Sequence, residues 1–441
     1  MRKLAFGVAS GAALAMTVAI DVAVAAGHGE EIYVPGLVYR TGAYAPNGIP
    51  FANGFKDYIT LINERDGGIG GVPVVYEECE TGYNTKVGVE CYEKLKSKKP
   101  VVIIPNSTGI TYQLIPKSAV DKVPLLTMGY GRTSAAVGSV FPWVFNFPAT
   151  YWSQATSVVG YIAKQEGGFE KLSGKKIAHI YHNSAYGKEA NPTLEALSKK
   201  YGFSLQLLAV DHPGQEQKAT WLQIRRKKPD WIFMSGWGVM NQVAIKEAAA
   251  IKFPMDHFIG NWWSGSENDV LPTGAGANGY KAATFHAPGG GTKLHADLKK
   301  HVYDKGLGAG EWERTGEILY LRGLINYIMV AEAVGRAQKA TGKKVPTGED
   351  VRDALESMHM TSADWDRVGL PGYPEFKVTC NDHEGGAGKG VMFQQWDASA
   401  KKWNLVSEWV PTMRDVVRPM MEADAAKFAK ENKITPRTDC S

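Results

Sequence analysis

Short β-branched apolar runs alternate with amphipathic stretches of helical length from Ile32 onward, and this alternation constrains the fold more than any other feature. It marks βα units in parallel sheets, because sandwiches lack the helices and bundles lack the strands. Ile32–Val38 reads as a strand, followed by a helix from Phe51 to Arg65 with Phe51, Phe55, Tyr58 and Ile62 on one face. Gly67 and Gly68 close that helix. Val72–Glu77, Val101–Ile104 and Pro124–Met128 read as further strands, with helices at Thr85–Lys96 and Thr111–Asp121 between them. After Pro142–Pro148 the alternation restarts with helix Trp152–Lys164, strand Lys176–His182, helix Lys188–Tyr201, strand Leu205–Val210, helix Glu216–Lys227, strand Trp231–Ser235 and helix Met240–Ile251. Ala282–Gly291 is loop-like. The helices Leu294–Lys305 and Glu313–Lys339 come next, then Thr347 and Asp350 as an N-cap with an acidic first turn. Val391–Trp396 and Trp403–Trp409, around Asp397–Lys401, read as a hairpin. A chain of 441 residues exceeds what one core organises. The expected fold is therefore α/β, in doubly wound parallel-sheet lobes.

Arg2 and Lys3 precede an apolar run from Leu4 to Ile20, and Val24, Ala25 and Ala26 supply small residues for cleavage, so residues 1–26 read as a secretory signal peptide. Asp21 argues against a retained membrane anchor. No cysteine precedes Cys79, so lipid attachment is not expected and the mature chain diffuses freely. Export implies an oxidising compartment in which four cysteines pair. Proximity joins Cys79 to Cys91 and Cys380 to Cys440.

Several functions are disfavoured by what the sequence holds. The formal charge of +5 is scattered, and the clusters Lys96, Lys98, Lys99 and Arg225–Lys228 lie where helix ends favour cations, which argues against a nucleic-acid partner. Gly274, Gly276 and Gly279 fit a nucleotide-binding glycine pattern literally but follow Pro272 instead of a strand. His179 and His182 stand three apart on a strand and point to opposite faces, so they share no metal. Phosphate-loop, zinc-protease, nucleophile-elbow and C-x-x-C motifs are missing. No cofactor, no metal and no catalysis are expected.

Thr41-Gly-Ala-Tyr-Ala-Pro46 after the first strand, Ile62-Asn-Glu-Arg-Asp-Gly-Gly-Ile-Gly-Gly71 after the first helix, and Tyr186-Gly-Lys188 in the second half resemble type I periplasmic solute-binding proteins of the branched-chain (hydrophobic) amino-acid ABC importer family. The resemblance runs from about Glu30 to the C-terminus. It implies two lobes joined by three hinge crossings near Ala149, Ala283 and Phe376. Residues 27–149 and 284–375 would form lobe 1, and residues 150–283 and 376–441 lobe 2. The lobes would close on a small-molecule ligand in the cleft between them. A monomer in the periplasm, serving the membrane subunits of an ABC transporter, is the implied setting; a ligand sensor of the same fold, or less plainly a periplasmic enzyme, is the rival.

The same resemblance points to site residues at strand ends, where open parallel sheets bind ligands. Asn106, Ser107 and Thr108 occupy the position that holds a carboxylate at a helix N-terminus. Met128, Gly129 and Tyr130 form the neighbouring loop, and Tyr39, Arg40 and Tyr44 belong to the loop after the first strand. Tyr186 resembles the aromatic residue that covers the ligand, and Trp237, Trp262 and Trp263 follow later strands. Ser107 and Thr108 also suit plain helix capping. Arg40 and Arg132 suit a bidentate grip on a carboxylate or an ordinary surface. In amino-acid binders the last loop supplies a carboxylate for the ammonium; here Trp262 and Trp263 stand at or beside it, with Glu267 and Asp269 nearby as substitutes. That departure tilts the expected guest toward an aromatic or apolar acid, with branched-chain amino acids and small amides as rivals.

Overall fold

The computed structural model describes residues 30–373, 375–385 and 389–440, so the expected signal peptide, residues 1–26, lies outside them. β1 (Ile32–Val38) is buried at every position, as a parallel strand covered on both faces must be. It pairs in parallel with β2 (Val74–Glu80), Ile32 opposite Val74 and Val38 opposite Glu80. On its other side, bridges from Gly36 to Ile104 and from Ile103 to Leu125 carry the sheet to β3 (Leu125–Thr127) and its parallel neighbour β4 (Val144–Asn146).

The second sheet is built from β5 (Lys176–His182), β6 (Ser204–Val210), β7 (Trp231–Ser235), β8 (Phe258–Gly260) and β9 (Lys281–Thr284), all paired in parallel. β10 (His359–Met360) and β11 (Phe376–Lys377) form a separate antiparallel ribbon. The expected hairpin, β12 (Met392–Asp397) and β13 (Lys402–Leu405), adds antiparallel strands to the second sheet, whose order is β13–β12–β9–β8–β7–β5–β6.

Helix Ala45–Asp66 begins earlier than its apolar stripe suggests. Pro46 in its first turn suits a helix start, and Gly67 ends it in the left-handed region at φ 70°. It crosses helix Ile318–Thr341 where a Cβ on Gly54 would meet the Tyr320 carbonyl at 2.3 Å and Gly323 Cα at 2.9 Å, so only glycines allow the approach. Ile318–Thr341 is apolar enough over its length to cross a membrane, yet 83% of its most apolar window is buried inside the protein.

The tail departs from expectation. Residues 376–441 are expected with the second lobe, but only the hairpin joins that sheet. Phe376 pairs with Met360, and His383 donates its N–H to the Ala136 carbonyl and places Nδ1 2.8 Å from the Val144 carbonyl. The terminal helix Arg414–Glu431 buries Val417, Met421, Ala425 and Ala429 in one cluster with Leu37, Ile103 and Leu125 of the first sheet. Their spacing of four places a narrow apolar stripe on one helix face, which packs chiefly against the turn Thr133–Ala136 and also meets helix Tyr151–Glu166. Cys79 is bonded to Cys91 and Cys380 to Cys440, as proximity suggests.

Candidate functional site

A small cavity of about 20 Å³ lies between the two sheets, far below the ~300–1,000 Å³ of an open small-molecule site, so a guest larger than a water needs the wall to part. Almost every residue of its wall follows the C-terminal end of a strand. Tyr39 follows β1, Tyr83 follows β2, Asn106 follows the Val101–Ile104 run and Tyr130 follows β3. Tyr151 opens the helix after β4, and Tyr186, Trp237 and Trp263 follow β5, β7 and β8. Phe51, from helix Ala45–Asp66, completes the wall. Strand ends converge here because parallel strands all finish on the same edge of their sheet.

The rings are locked against one another edge to face. Trp237 lies 5.5 Å from Trp263 at 82°, Tyr39 lies 4.9 Å from Tyr83 at 73°, and Tyr151 lies 5.3 Å from Tyr186 at 62°. Burial pushes the phenols of Tyr39, Tyr83, Tyr130, Tyr151 and Tyr186 upward, so all stay protonated at neutral pH. Some polar groups are already occupied. Asn106, held at φ 53°, donates Nδ2–H to the Leu37 carbonyl and accepts the Tyr130 hydroxyl at 3.1 Å. The Tyr186 hydroxyl lies 2.9 Å from the Gly236 carbonyl and shares hydrogen bonds with the Asn261 amide. Others are only loosely held: the Tyr151 hydroxyl lies against the Thr108 hydroxyl and the Trp263 indole, and the Trp237 indole against the Tyr39 hydroxyl, without well-formed hydrogen bonds. An indole N–H can only donate, so the cavity asks its guest for acceptors.

The structure separates residues that the sequence leaves together. Trp263 lines the cavity, whereas Trp262 packs behind it, 5.5 Å from Tyr151 and 5.9 Å from Phe285. Gly129 serves Trp262, since a Cβ there would meet the indole at 2.4 Å, and Met128 is core. Ser107 precedes helix Thr108–Asp121 but makes no side-chain cap bond, so the plain capping reading fails for it. The Thr108 hydroxyl stands beside that of Tyr151. Arg40 is a correction: it grips Glu78 through Nε and Nη2 at 2.6 and 2.7 Å and donates to Asn53, away from the cavity. Arg132 likewise bonds Ser134 and Asp424 and lies over Phe428. Asp269 is spent on Ser266, Asn241 and Asn47, and Glu267 accepts the Ile318 N–H. Among the described residues, no acidic side chain lines the cavity. Phe51, Tyr83 and Tyr151 belong to the wall without having been singled out from sequence; only their positions after strands, or on the inner helix face, could have marked the last two and the first.

Three sets of contacts clamp the halves together around the cavity. Tyr44 does not line it; its hydroxyl lies 2.8 Å from His182 Nε2 and 3.0 Å from His212 Nδ1. Pro50 has no N–H for the Pro46 carbonyl, which instead accepts Asn268 Nδ2, and Asn47 Nδ2 donates to Asp269 at 3.1 Å. Opposite them, Glu189 accepts the Tyr112 hydroxyl together with the N–H and hydroxyl of Thr133 at 3.2 and 2.6 Å. Burial raises the Glu189 carboxyl, although these donors pull it back.

Comparison with known proteins agrees with this architecture. A family profile for periplasmic binding proteins matches residues 31–402. A solved structure from the Pseudomonas fluorescens group, described as an ABC transporter permease, is 42% identical, covers 92% of this chain and 99% of its own, and superposes with a TM-score of 0.84. A branched-chain amino-acid ABC transporter protein from Thermus thermophilus with bound valine is 18% identical over 88% of this chain and 98% of its own, with a TM-score of 0.73. A solute-binding protein of an ABC transporter from R. palustris, in complex with benzoate, is 16% identical over 87% of this chain and 98% of its own, with a TM-score of 0.67. No curated protein sequence matches it. The chain belongs to the periplasmic binding protein family, with the type I fold of the solute-binding proteins of ABC transporters, and is a binding protein, not an enzyme.

Proposed function

We propose that this protein is the substrate-binding component of an ABC importer and captures a small aromatic or apolar carboxylate in the cavity between its lobes. One observation carries the reading: the wall holds buried hydroxyl and indole donors that lie against one another without well-formed hydrogen bonds, and, among the described residues, no acidic side chain that would match an ammonium group. A carboxylate supplies acceptors, and an aromatic body fills a ring-lined space. The first turn of helix Thr108–Asp121, free of a side-chain cap, favours the anion further. The R. palustris relative holds benzoate, an acid of the same class.

The lobes divide as 27–149 with 284–375 and 150–283 with the β12–β13 hairpin, while the segments around Cys380 and helix Arg414–Glu431 ride on the first lobe. They close on the guest, and the Tyr44, Asn47 and Glu189 contacts hold the closed form, which the membrane subunits then recognise. Residues 1–26 direct export, and the chain acts as a free monomer in the periplasm. Its two disulfides suit that compartment. The test is a thermal-shift screen of benzoate and hydroxybenzoates against leucine-like amino acids and small amides. The acids raise the melting temperature by mass action. A shift produced only by the amino acids or the amides overturns the reading.

A further inference from the structure

Arg322 stands on helix Ile318–Thr341 with none of its surface exposed. Its Nε–H donates to His286 Nε2 at 3.2 Å, and His286 Nδ1 is 2.9 Å from the Ala287 carbonyl. That pairing requires the neutral imidazole with its proton on Nδ1. Both terminal nitrogens of Arg322 are buried with no hydrogen-bond partner among the described residues. The carboxylates whose charge reaches it are engaged elsewhere, Glu267 by the Ile318 N–H and Asp269 by Ser266, Asn241 and Asn47. A buried cation without an anion is costly; the ring faces of Phe285 and Trp263, 5.0 and 5.5 Å from the guanidinium carbon, offset part of that cost and an arriving anion offsets the rest.

The position of Arg322 says where that anion would come from. Asn326, four residues on and so on the same helix face, donates to the hydroxyl of the cavity residue Tyr130 at 2.9 Å. The Trp263 ring lies 5.7 Å from the Tyr130 ring and 5.5 Å from the Arg322 guanidinium carbon, so it separates the cation from the cavity. Its indole N–H lies against the Tyr151 hydroxyl without a well-formed hydrogen bond, which leaves the side chain held chiefly by ring contacts.

We propose that Arg322 is a specificity-determining residue of the interlobe site, binding a second anionic group of the guest when the Trp263 ring turns aside, and that the preferred guests are aromatic dicarboxylates. The inference rests on the acid-binding reading above and names the substrate class within it. One carboxylate takes the donors around Thr108 and Tyr151; the other takes the planar guanidinium fork, which matches a carboxylate with paired N–H bonds. A guest with one carboxylate fills the cavity but leaves the fork empty.

The experiment titrates the full chain by calorimetry with benzoate and with the ortho, meta and para benzenedicarboxylates. At least one dicarboxylate binds about tenfold or more tighter than benzoate. Arg322→Gln cuts that preference to less than about twofold while benzoate affinity moves by less than about threefold. Arg322→Lys, which keeps the charge without the fork, retains part of the preference. The unliganded Arg322→Gln protein melts no lower than wild type, because an unpaired buried cation has gone. If Arg322→Gln lowers the melting temperature and weakens all four acids alike, the residue is structural and the inference is overturned. If benzoate binds and no dicarboxylate binds tighter, the inference fails and the acid-binding reading stands. If none of the four binds, both fail.

Discussion

The hydroxyl of Tyr44 lies 2.8 Å from Nε2 of His182, which ties the loop after β1 to the loop after β5 across the mouth of the cavity. His212, after β6, shares the same hydroxyl at 3.0 Å, and the two imidazoles meet edge to face with centroids 4.0 Å apart. Tyr44→Phe keeps the ring and strands the buried Nε2 of His182, while the exposed His212 turns to water. Leaving a buried donor or acceptor unpaired costs about 1–3 kcal/mol, charged here to the closed form, so guest affinity falls roughly tenfold. Calorimetry with an acid from the thermal-shift screen measures it, and an unchanged Kd removes Tyr44 from the clamp.

The same histidine gives a pH dependence of known sign. Burial first, and then the neighbouring His212, pull the His182 imidazole down to about 3, below the ~6.5 of an unfolded histidine. Between those values the unfolded chain binds the extra proton, so stability is present above about pH 6.5 and is lost as pH falls toward 3. The slope is at most ~1.4 kcal/mol per pH unit for each such group. Buried carboxyls such as Glu189 and Asp269 are shifted up and act in the opposite sense, so the informative quantity is a difference between proteins. Urea unfolding of His182→Gln between pH 6.5 and 4 shows a shallower loss than wild type. Parallel curves contradict the assignment.

Adjacent tryptophans separate binding from folding. Trp263 lines the cavity, so Trp263→Ala weakens aromatic acids and, with part of its ring already against the cavity, costs less of the fold than Trp262→Ala. Trp262 has no exposed surface and fills the space that Gly129 leaves, so Trp262→Ala costs about 3–5 kcal/mol of stability. Denaturant midpoints and acid affinities, measured on both variants, move in this crossed pattern; a pair of variants alike in both readouts rejects it.

Strands such as β1 and β7 were legible because they are buried at every position and carry that burial as short, almost uncharged, largely apolar runs. Tyr39, Asn106, Tyr130, Tyr186, Trp237 and Trp263 stand in the loops after strands, and it is the resemblance to the solute-binding family that singles those loops out. Tyr83 is harder: it takes φ 61° in a turn whose only local signal is Gly82. Helix Arg414–Glu431 hides because its inner face is a single row containing Ala425 and Ala429, and because Pro419, on its exposed side, reads as a helix breaker. Arg40 and Arg132 resemble anion grips until their partners are known, and those partners, Glu78 and Asp424, lie 38 and 292 residues away along the chain. Pairing at such separations is a property of the fold, and local pattern does not carry it.

Thr108 allows the two meanings of a helix N-terminus to be told apart by sign. A hydroxyl that caps a helix stabilises the protein, and removing it costs typically about 1 kcal/mol. The Thr108 hydroxyl is buried and lies against the Tyr151 hydroxyl instead of capping the helix, so it adds no such stability in the unliganded protein. Thr108→Val keeps the shape and removes a polar group without a well-formed hydrogen bond, which leaves stability unchanged or raises it by up to ~1 kcal/mol. The guest carboxylate loses one donor, and its affinity drops by about tenfold. Ser107→Ala is the companion, since that side chain makes no cap bond either. If Thr108→Val lowers the melting temperature and leaves acid binding intact, the residue is a plain helix-end threonine and the carboxylate sits elsewhere in the cavity.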